Sequence, residues 1–303
     1  MSKITVSIFM LTYNQEAYIS QAIEGVLMQK TNFKYQLVIG EDCSTDKTRS
    51  ICEAYQQHYP EKIKLLPQQD KNMGLIANYM RTIKACDGKY IAICDGDDYW
   101  VDEYKLQKQV DVLEQNKDCS IVFSKVYKWY PDGNVIKAIP LSEKQITGFN
   151  NLVYGNFIPS VTALFKNEQQ RESLPEWIIN FPYGDWPTYL WTIKDQGKIY
   201  LLNEYTAVYR MDIGASAKLR RKNSVIVRVN IAILNAMLND EKFKSRISEI
   251  KDSIMKHQKQ LMLSLNREKA YLEALKIYLT VIFKLNNRLK FTKLYLYSIK
   301  NSF

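Results

Sequence analysis

The sequence predicts an α/β fold, a mainly parallel sheet flanked by helices, with an all-α C-terminal region after it. Three observations predict it. Over the first 125 residues, short runs rich in β-branched residues alternate with segments of helical spacing, the pattern of strand–helix units in a layered sheet. The residues that follow each run are polar and short-chained, as loops at one edge of such a sheet are. After Gly214 neither glycine nor proline occurs again, and a segment without either residue reads as helix.

The elements follow in order. Residues 4–11 read as a buried strand. Residues 17–28 read as a helix, with Ile19, Ala22, Ile23 and Val26 on one face. A second strand and helix are expected over 37–40 and 46–58, and a third strand over 63–66. Ile76, Tyr79, Met80 and Ile83 give a helical face to 74–85. A fourth strand is expected over 90–94, a helix over 103–115 on Leu106, Val110 and Leu113, and a fifth strand over 120–123. Strands over 126–130 and 135–139 flank Pro131-Asp132-Gly133, a turn sequence. Residues 161–165 read as strand, 186–196 as helix, and 199–202 and 206–210 as closing strands. Helices are expected over 226–238, 242–266, 268–285 and 288–299.

Composition excludes several classes. Of 303 residues, 46% are hydrophobic and 24% charged, a globular balance that rules out disorder. No apolar stretch reaches the roughly 18–20 residues of a membrane span, and no secretory signal is expected. Five cysteines without CxxC spacing argue for a reducing, cytoplasmic compartment. Two histidines leave little for a zinc site or a catalytic triad. The formal charge of +10 is uneven: residues 218–303 hold 19 Lys+Arg and 6 Asp+Glu, and residues 1–217 hold 23 and 26. The excess is therefore +13 in the tail and −3 before it. Domains are expected at 1–217 and 218–303.

Four polar loops carry the chemistry: Thr12-Tyr13-Asn14-Gln15-Glu16, Glu41 to Asp46, Asn72-Met73-Gly74, and Asp95-Gly96-Asp97-Asp98-Tyr99-Trp100. Three carboxylates within four positions repel one another unless a cation neutralises them. Oxygen donors with no histidine nearby suit Mg²⁺ or Mn²⁺, shared with a diphosphate. Gly96 keeps that turn tight.

In order and spacing, these four loops, the second extended through Lys47 and Thr48, resemble the motifs of glycosyltransferase family 2. The resemblance covers roughly residues 4–216. It implies the GT-A fold and inverting sugar transfer from a nucleoside-diphosphate donor, most simply a UDP-sugar. By that resemblance Thr12, Asn14, Glu16 and Asp42 hold the nucleoside, with Ser44 and Asp46 shaping the loop. Asp95 lies near the ribose, and Asp97 binds the metal. Asp98 and Trp100 flank the donor sugar or buttress the loop. An inverting transfer needs a base for the acceptor hydroxyl. The family places an Asp at a helix start, and Asp185 fits, 88 residues beyond Asp97 (185 − 97) and followed by Pro187; the plainer reading is that helix's N-cap, and one carboxylate can serve as both. Where the family often has a histidine two residues after Arg210, this chain has Asp212, an oxygen donor that becomes a candidate metal ligand. Arg210 contacts the diphosphate or forms a surface ion pair. Of the tryptophans, Trp186 beside Asp185 is the one expected near an acceptor sugar. The acceptor implied is a saccharide or lipid-linked saccharide of bacterial cell-surface polysaccharide synthesis.

Two other functions stay in view. A metal-dependent nucleotidyltransferase would open on a glycine-rich basic loop, and the 12–16 loop has neither glycine nor Lys or Arg. A non-catalytic sugar-nucleotide-binding protein would not need both Asp97 and Asp185. In the tail, Leu272, Leu275, Leu279 and Ile282 form a helical stripe ringed by lysines. That stripe either packs on the rest of the chain or lies peripherally on an anionic membrane surface. No nucleic-acid motif accompanies the charge, and no nucleic-acid partner is expected.

Overall fold

The computed structural model describes residues 4–138, 145–214, 222–285 and 287–302. The chain divides into two compact units, Met1–Leu152 with Asn156–Gly214, and Val153–Gly155 with Ala215–Phe303. The expected boundary between residues 217 and 218 lies outside the described residues, as does the end of the strand expected to reach residue 139.

In the first unit, β1 (Val6–Thr12), α1 (Ile19–Leu27), β2 (Tyr35–Glu41), α2 (Thr48–His58), β3 (Ile63–Leu65), α3 (Leu75–Lys84) and β4 (Tyr90–Ile93) follow the expected alternation. Then come β5 (Tyr99–Trp100), α4 (Lys105–Gln115), β6 (Cys119–Trp129), β7 (Val135–Lys137), β8 (Ile146–Gly148), α5 (Phe149–Leu152), β9 (Leu164–Lys166), α6 (Asp185–Thr192) and β10 (Lys198–Arg210), of which the short β5, β8 and α5 were not expected from the sequence. The strands form one sheet in the order β3-β2-β1-β4-β9-β6-β10-β5, with β7 on β6 and β8 on β10. β1 through β4 pair in parallel, and β6 pairs in parallel with β10. β9 runs antiparallel to both β4 and β6. The sheet is mainly parallel, as expected, with the short antiparallel return strand β9 between its two parallel halves.

The strand boundaries differ from expectation for local reasons. The separate strands expected at 120–123 and 126–130 are one continuous β6. Those expected at 199–202 and 206–210 are one β10, whose register shifts around Tyr205; a bulge breaks the alternation without ending the strand. The strand expected at 161–165 begins later. Ser160–Thr162 is a 3₁₀ turn, held by Thr162 Oγ1 and N donating to the Pro159 carbonyl at 2.8 and 2.9 Å.

The core of this unit lies between sheet and helices. Ile8 and Met10 of β1, Leu37 and Ile39 of β2 and Ala92 of β4 pack with Ile23 and Val26 of α1 and Leu106 and Val110 of α4, all buried. Gly25 lets α1 approach β5, since a Cβ there would sit 2.9 Å from the Trp100 nitrogen.

The second unit is helical: α7 (Asn223–Leu238), a 3₁₀ turn (Glu241–Arg246), α8 (Ile247–Arg267), α9 (Tyr271–Ile282) and α10 (Arg288–Lys300). The helix expected to start at 242 starts with that 3₁₀ turn, because the Asp240 carboxylate caps the Lys242 nitrogen at 3.0 Å. α8 ends without glycine: Lys269 takes φ 61°, and the Ala270 nitrogen donates to the Leu265 carbonyl at 2.8 Å. Val227, Leu261, Met262, Leu265, Ala274, Val281, Phe291 and Tyr295 form its core. Tyr278 stacks on Phe291 and Tyr295, with centroids 5.6 and 4.5 Å apart. No described helix is long and apolar enough to cross a membrane.

Candidate active site

The chain runs β1 to β2 to β3 on one side and then crosses to β4 on the other. The strand order reverses at β1, and ligand sites in such sheets open at that point, beyond the carboxyl ends of the strands. There the four polar loops meet.

The register Thr12↔Glu41 sets the first two loops side by side, and reciprocal hydrogen bonds lace them together. The Asn14 nitrogen donates to Ser44 Oγ at 3.0 Å, and Asn14 Oδ1 accepts from the Thr45 nitrogen at 2.8 Å. The Glu16 nitrogen donates to Asp46 Oδ2 at 3.1 Å, and Glu16 Oε2 accepts from the Lys47 nitrogen at 2.9 Å. Gln15 N donates to Thr48 Oγ1 at 2.8 Å. Asn14 and Cys43 both hold positive φ, 52° and 60°, so the pair of loops is fixed in a conformation that costs strain. Asn14 and Glu16 thus spend side-chain oxygens on the neighbouring loop.

Asp42 is buried, and its two carboxylate oxygens accept from Met73 N at 2.8 Å and Gly74 N at 2.9 Å. It ties the third loop to the second and starts α3 just beyond. Thr12 Oγ1 and Gln15 Oε1 are buried and find no hydrogen-bond partner among the described residues. They face Gly96, where a Cβ would lie 2.5 Å from Gln15 Oε1 and 2.8 Å from Thr12 Oγ1. Glycine is required at that position by this close approach.

The acidic turn divides its labour. Asp98 is buried, and its Oδ1 accepts from the Arg210 backbone nitrogen at 2.8 Å. Burial, then the Asp97 charge, holds its carboxyl well above the usual range. Asp95 is half-buried, and its Oδ1 accepts from Leu11 N at 3.4 Å. Burial pushes its carboxyl up to about 8, and the negative charges of Asp97 and Asp185 push in the same direction. Trp100 is buried, and its indole nitrogen donates to the Val161 carbonyl at 2.8 Å. Of its two expected roles, buttressing fits this placement and flanking a sugar does not.

Arg210, at the end of β10, is 7% exposed, not a surface ion pair. Its guanidinium donates to the Asp97 carbonyl at 2.6 Å and to Gln21 Oε1, between the rings of Tyr18 and Tyr99, each 4.7 Å away. Backbone and side chain of one arginine therefore pin both Asp97 and Asp98. Four residues on, Gly214 holds φ 79° over the Asp97 carboxylate, and a Cβ there would overlap Asp97 Oδ2. Asp212, between them, is exposed with φ 61°.

Asp185 opens α6. Gly184 holds the N-cap position without a side-chain bond, so Asp185 is the first helical residue and not the cap. Its Oδ2 accepts from Asn156 Nδ2 at 2.8 Å. Tyr79 of α3 lies beneath this helix start: its hydroxyl donates to Thr188 Oγ1 at 3.0 Å, and a Cβ at Gly184 would stand 2.5 Å from its ring. Burial raises the Tyr79 and Tyr189 hydroxyls well above the usual range, and the Asp185 and Asp95 charges add to both. Trp186 is buried, and its indole nitrogen donates to the Leu152 carbonyl at 2.9 Å. It fills the core and is withdrawn as a sugar-stacking residue.

Among the described residues, no group of three or more His, Cys, Asp or Glu side chains is arranged to hold a metal ion. A hard divalent ion that takes one or two carboxylates and completes its shell from diphosphate and water fits this sparse donor set. Burial is the main reason the Asp95 and Asp98 carboxyls are raised; the Asp97 charge adds to it, and a bound cation would offset that smaller part.

The family model for glycosyl transferase family 2 matches residues 7–165. The chain belongs to glycosyltransferase family 2. Two relatives are similar to it over about two thirds of its length. It is 33% identical over 205 residues to the uncharacterized protein Rv1520 of Mycobacterium tuberculosis, covering 67% of this chain and 58% of the relative. It is 26% identical over 210 residues to TuaG of Bacillus subtilis, a putative teichuronic acid biosynthesis glycosyltransferase, covering 68% and 79%. The chain thus spans a little over half the length of the mycobacterial relatives it matches. Two solved structures share its fold. S. aureus TarS 1–349 in complex with UDP-GlcNAc gives a TM-score of 0.65 at 15% identity, over 99% of this chain and 90% of that one. The mannosyltransferase PcManGT of Pyrobaculum calidifontis, in complex with GDP-Man and Mn²⁺, gives 0.60 at 15% identity over 99% and 86%. The GT-A fold expected from the family-2 motifs is the fold observed.

Beyond the expected residues, the site uses Asn156, Gln15, Gln21 and Tyr79. Gln15 stood inside a recognised loop. Asn156 and Gln21 carry no periodicity or motif, and only the folded chain brings them to Asp185 and Arg210.

Proposed function

We propose that the chain is an inverting glycosyltransferase that moves a sugar from a nucleoside-diphosphate donor, most simply a UDP-sugar, to a saccharide or lipid-linked acceptor in bacterial cell-surface polysaccharide synthesis. One observation carries the reading: beyond the carboxyl ends of β1 and β4, where the polar loops meet, Arg210 holds the Asp97 carbonyl and the Gly214 turn closes over the Asp97 carboxylate. The UDP-GlcNAc and GDP-Man complexes of TarS and PcManGT, and the name of TuaG, support the donor class and the setting. Five free cysteines, four of them buried, support a reducing, cytoplasmic location.

Thr12 and Gln15 offer their orphaned polar atoms to the donor beside Gly96. Asp42, Asn14 and Glu16 hold the nucleoside side of the site in shape through the loops they tie. Asp97, with Asp212 as a second oxygen donor, would hold Mg²⁺ or Mn²⁺, which supplies charge neutralisation for the departing diphosphate. Arg210 positions the Asp97 backbone, and Asp98 locks that arginine in register. Asp185 takes the proton from the acceptor hydroxyl as its oxygen attacks the anomeric carbon. Asn156 orients the Asp185 carboxylate for that transfer.

Purified protein with Mn²⁺ is expected to release UDP from a UDP-sugar. Asp185→Asn should bind nucleotide normally and lose transfer by about 10²–10⁴-fold, the usual share of a general base. Asp97→Ala should weaken metal-dependent nucleotide binding. Unchanged turnover by Asp185→Asn would remove that residue from the base role, and nucleotide binding indifferent to Mn²⁺ would remove the metal.

A further inference from the structure

Apolar side chains on a helix normally mark the side that packs. In α9 and α10 they mark two sides. On α9, Leu272, Leu275 and Leu279 recur at spacings of three and four, and Phe283 continues the row, which places them on one stripe. Ala274 and Val281, on the opposite side, are the ones buried in the helical core. The stripe faces outward: Leu272 is 78% exposed and Phe283 71%. α10 repeats the arrangement. Phe291 and Tyr295 enter the core, while Leu289, Leu296 and Tyr297 are exposed. A lone exposed leucine needs no explanation, but outward apolar rows on two successive helices of the same unit do.

The charge beside that row selects the occupant. Residues 271–303 contain Lys276, Lys284, Arg288, Lys290, Lys293 and Lys300 against a single acid, Glu273, which pairs with Arg228. Lys293 and Lys300 lie seven apart, and Leu289 and Leu296 lie seven apart, interleaved on the same outward face of α10. Among the described residues none of the five lysines enters an ion pair. A second copy of the chain meeting this face would set cations against cations. An anionic bilayer meets both features: acyl chains take the leucines, and headgroup phosphates take the lysines, whose long stems reach outward. Twelve-residue α9 is about 18 Å long, short of the roughly 30 Å hydrocarbon thickness, so it would lie in the interface and not across it.

We propose that the outward face of α9 and α10 docks the protein on an anionic lipid surface. The proposal stands apart from the transferase reading, because none of these residues belongs to the site. The test floats the full chain with vesicles of phosphatidylcholine alone or mixed with phosphatidylglycerol. Binding is expected to the mixed vesicles only. Lys290→Ala/Lys293→Ala/Lys300→Ala should weaken it by about fivefold per lysine. Leu272→Glu/Leu279→Glu/Leu296→Glu should abolish it with the circular dichroism spectrum and melting midpoint unchanged, since the replaced side chains are exposed. Equal binding to neutral vesicles, or retained binding by either variant, overturns the proposal. So does a concentration-dependent dimer, seen by light scattering and lost in the glutamate variant, without vesicle binding; that result assigns the face to self-association. Nucleotide release by the same variants without lipid reports on the transferase reading separately.

Discussion

Asp97 is held from two directions: Arg210 grips its carbonyl, and the Gly214 backbone covers its carboxylate. Gly214→Ala should therefore do two things. It forces a side chain into positive φ, at a cost of about 1–3 kcal/mol, and it displaces the Asp97 carboxylate. Calorimetric titration should show metal-dependent nucleotide affinity falling at least about tenfold with a small drop in melting midpoint; unchanged affinity would contradict the role given to this turn. Asn156 makes a charge-assisted hydrogen bond to Asp185, a class worth about 1.5–3 kcal/mol. Asn156→Ala is expected to lower kcat about tenfold while leaving the donor KM in place. A raised KM with normal kcat would instead mean that Asn156 touches the donor.

At the scale of elements, α4 carries a buried cation behind the site. Lys105 Nζ donates to Gln109 Oε1 at 2.7 Å and lies 4.2 Å from the centre of the Trp100 ring. Burial pulls its ammonium down to about 7 from 10.5, against the opposing influence of Cys94 and Asp102. Below pH 7 the folded protein holds this lysine charged in a dry place, which costs stability. Between about 7 and 10.5 the unfolded chain binds the proton and the folded one does not, so stability rises with pH through that window. Lys105→Met should flatten the rise, read as urea midpoints at pH 6.5 and 9. Equal slopes in both proteins would mean that the ammonium is already accommodated. α3 joins the two ends of the site in a similar way: it begins at the turn held by Asp42 and carries Tyr79 to the start of α6.

At the scale of the whole molecule, the positive charge is concentrated in the helical unit, and the sheet unit that holds the carboxylates is nearly neutral. Raising ionic strength from 0.1 to 1 M shortens the screening length from about 10 to about 3 Å. Vesicle binding should fall steeply over that range, while nucleotide release in solution changes little. A vesicle-bound fraction insensitive to salt would show that the leucines act without the lysines.

Much of the fold was legible because its signals are local. A buried strand must be apolar along its whole length, and a helix must repeat every 3.6 residues, so β1 to β4 and α1 to α4 could be placed from residues 4–115 alone, while the two-residue β5 could not. The carboxylate turn was legible for the same reason, since three acids after an apolar strand are a local pattern; Asp185 was singled out by the family resemblance, because an acid with proline at a helix start reads locally as a cap. The antiparallel β9, the continuous β6 and β10, and the core positions of Trp100 and Trp186 were not legible, because they depend on partners far away in sequence or on a bulge that alternation does not report. Nor could sequence tell that Asn14, Glu16 and Asp42 turn toward neighbouring loops, since a loop side chain's partner is set by register. In the tail, the sequence determined that helices would form and that one stripe would be apolar and basic. Only the tertiary structure decided that Ala274 and Val281 go inward and the leucines outward, because which face of a helix is buried depends on the surfaces its neighbours offer.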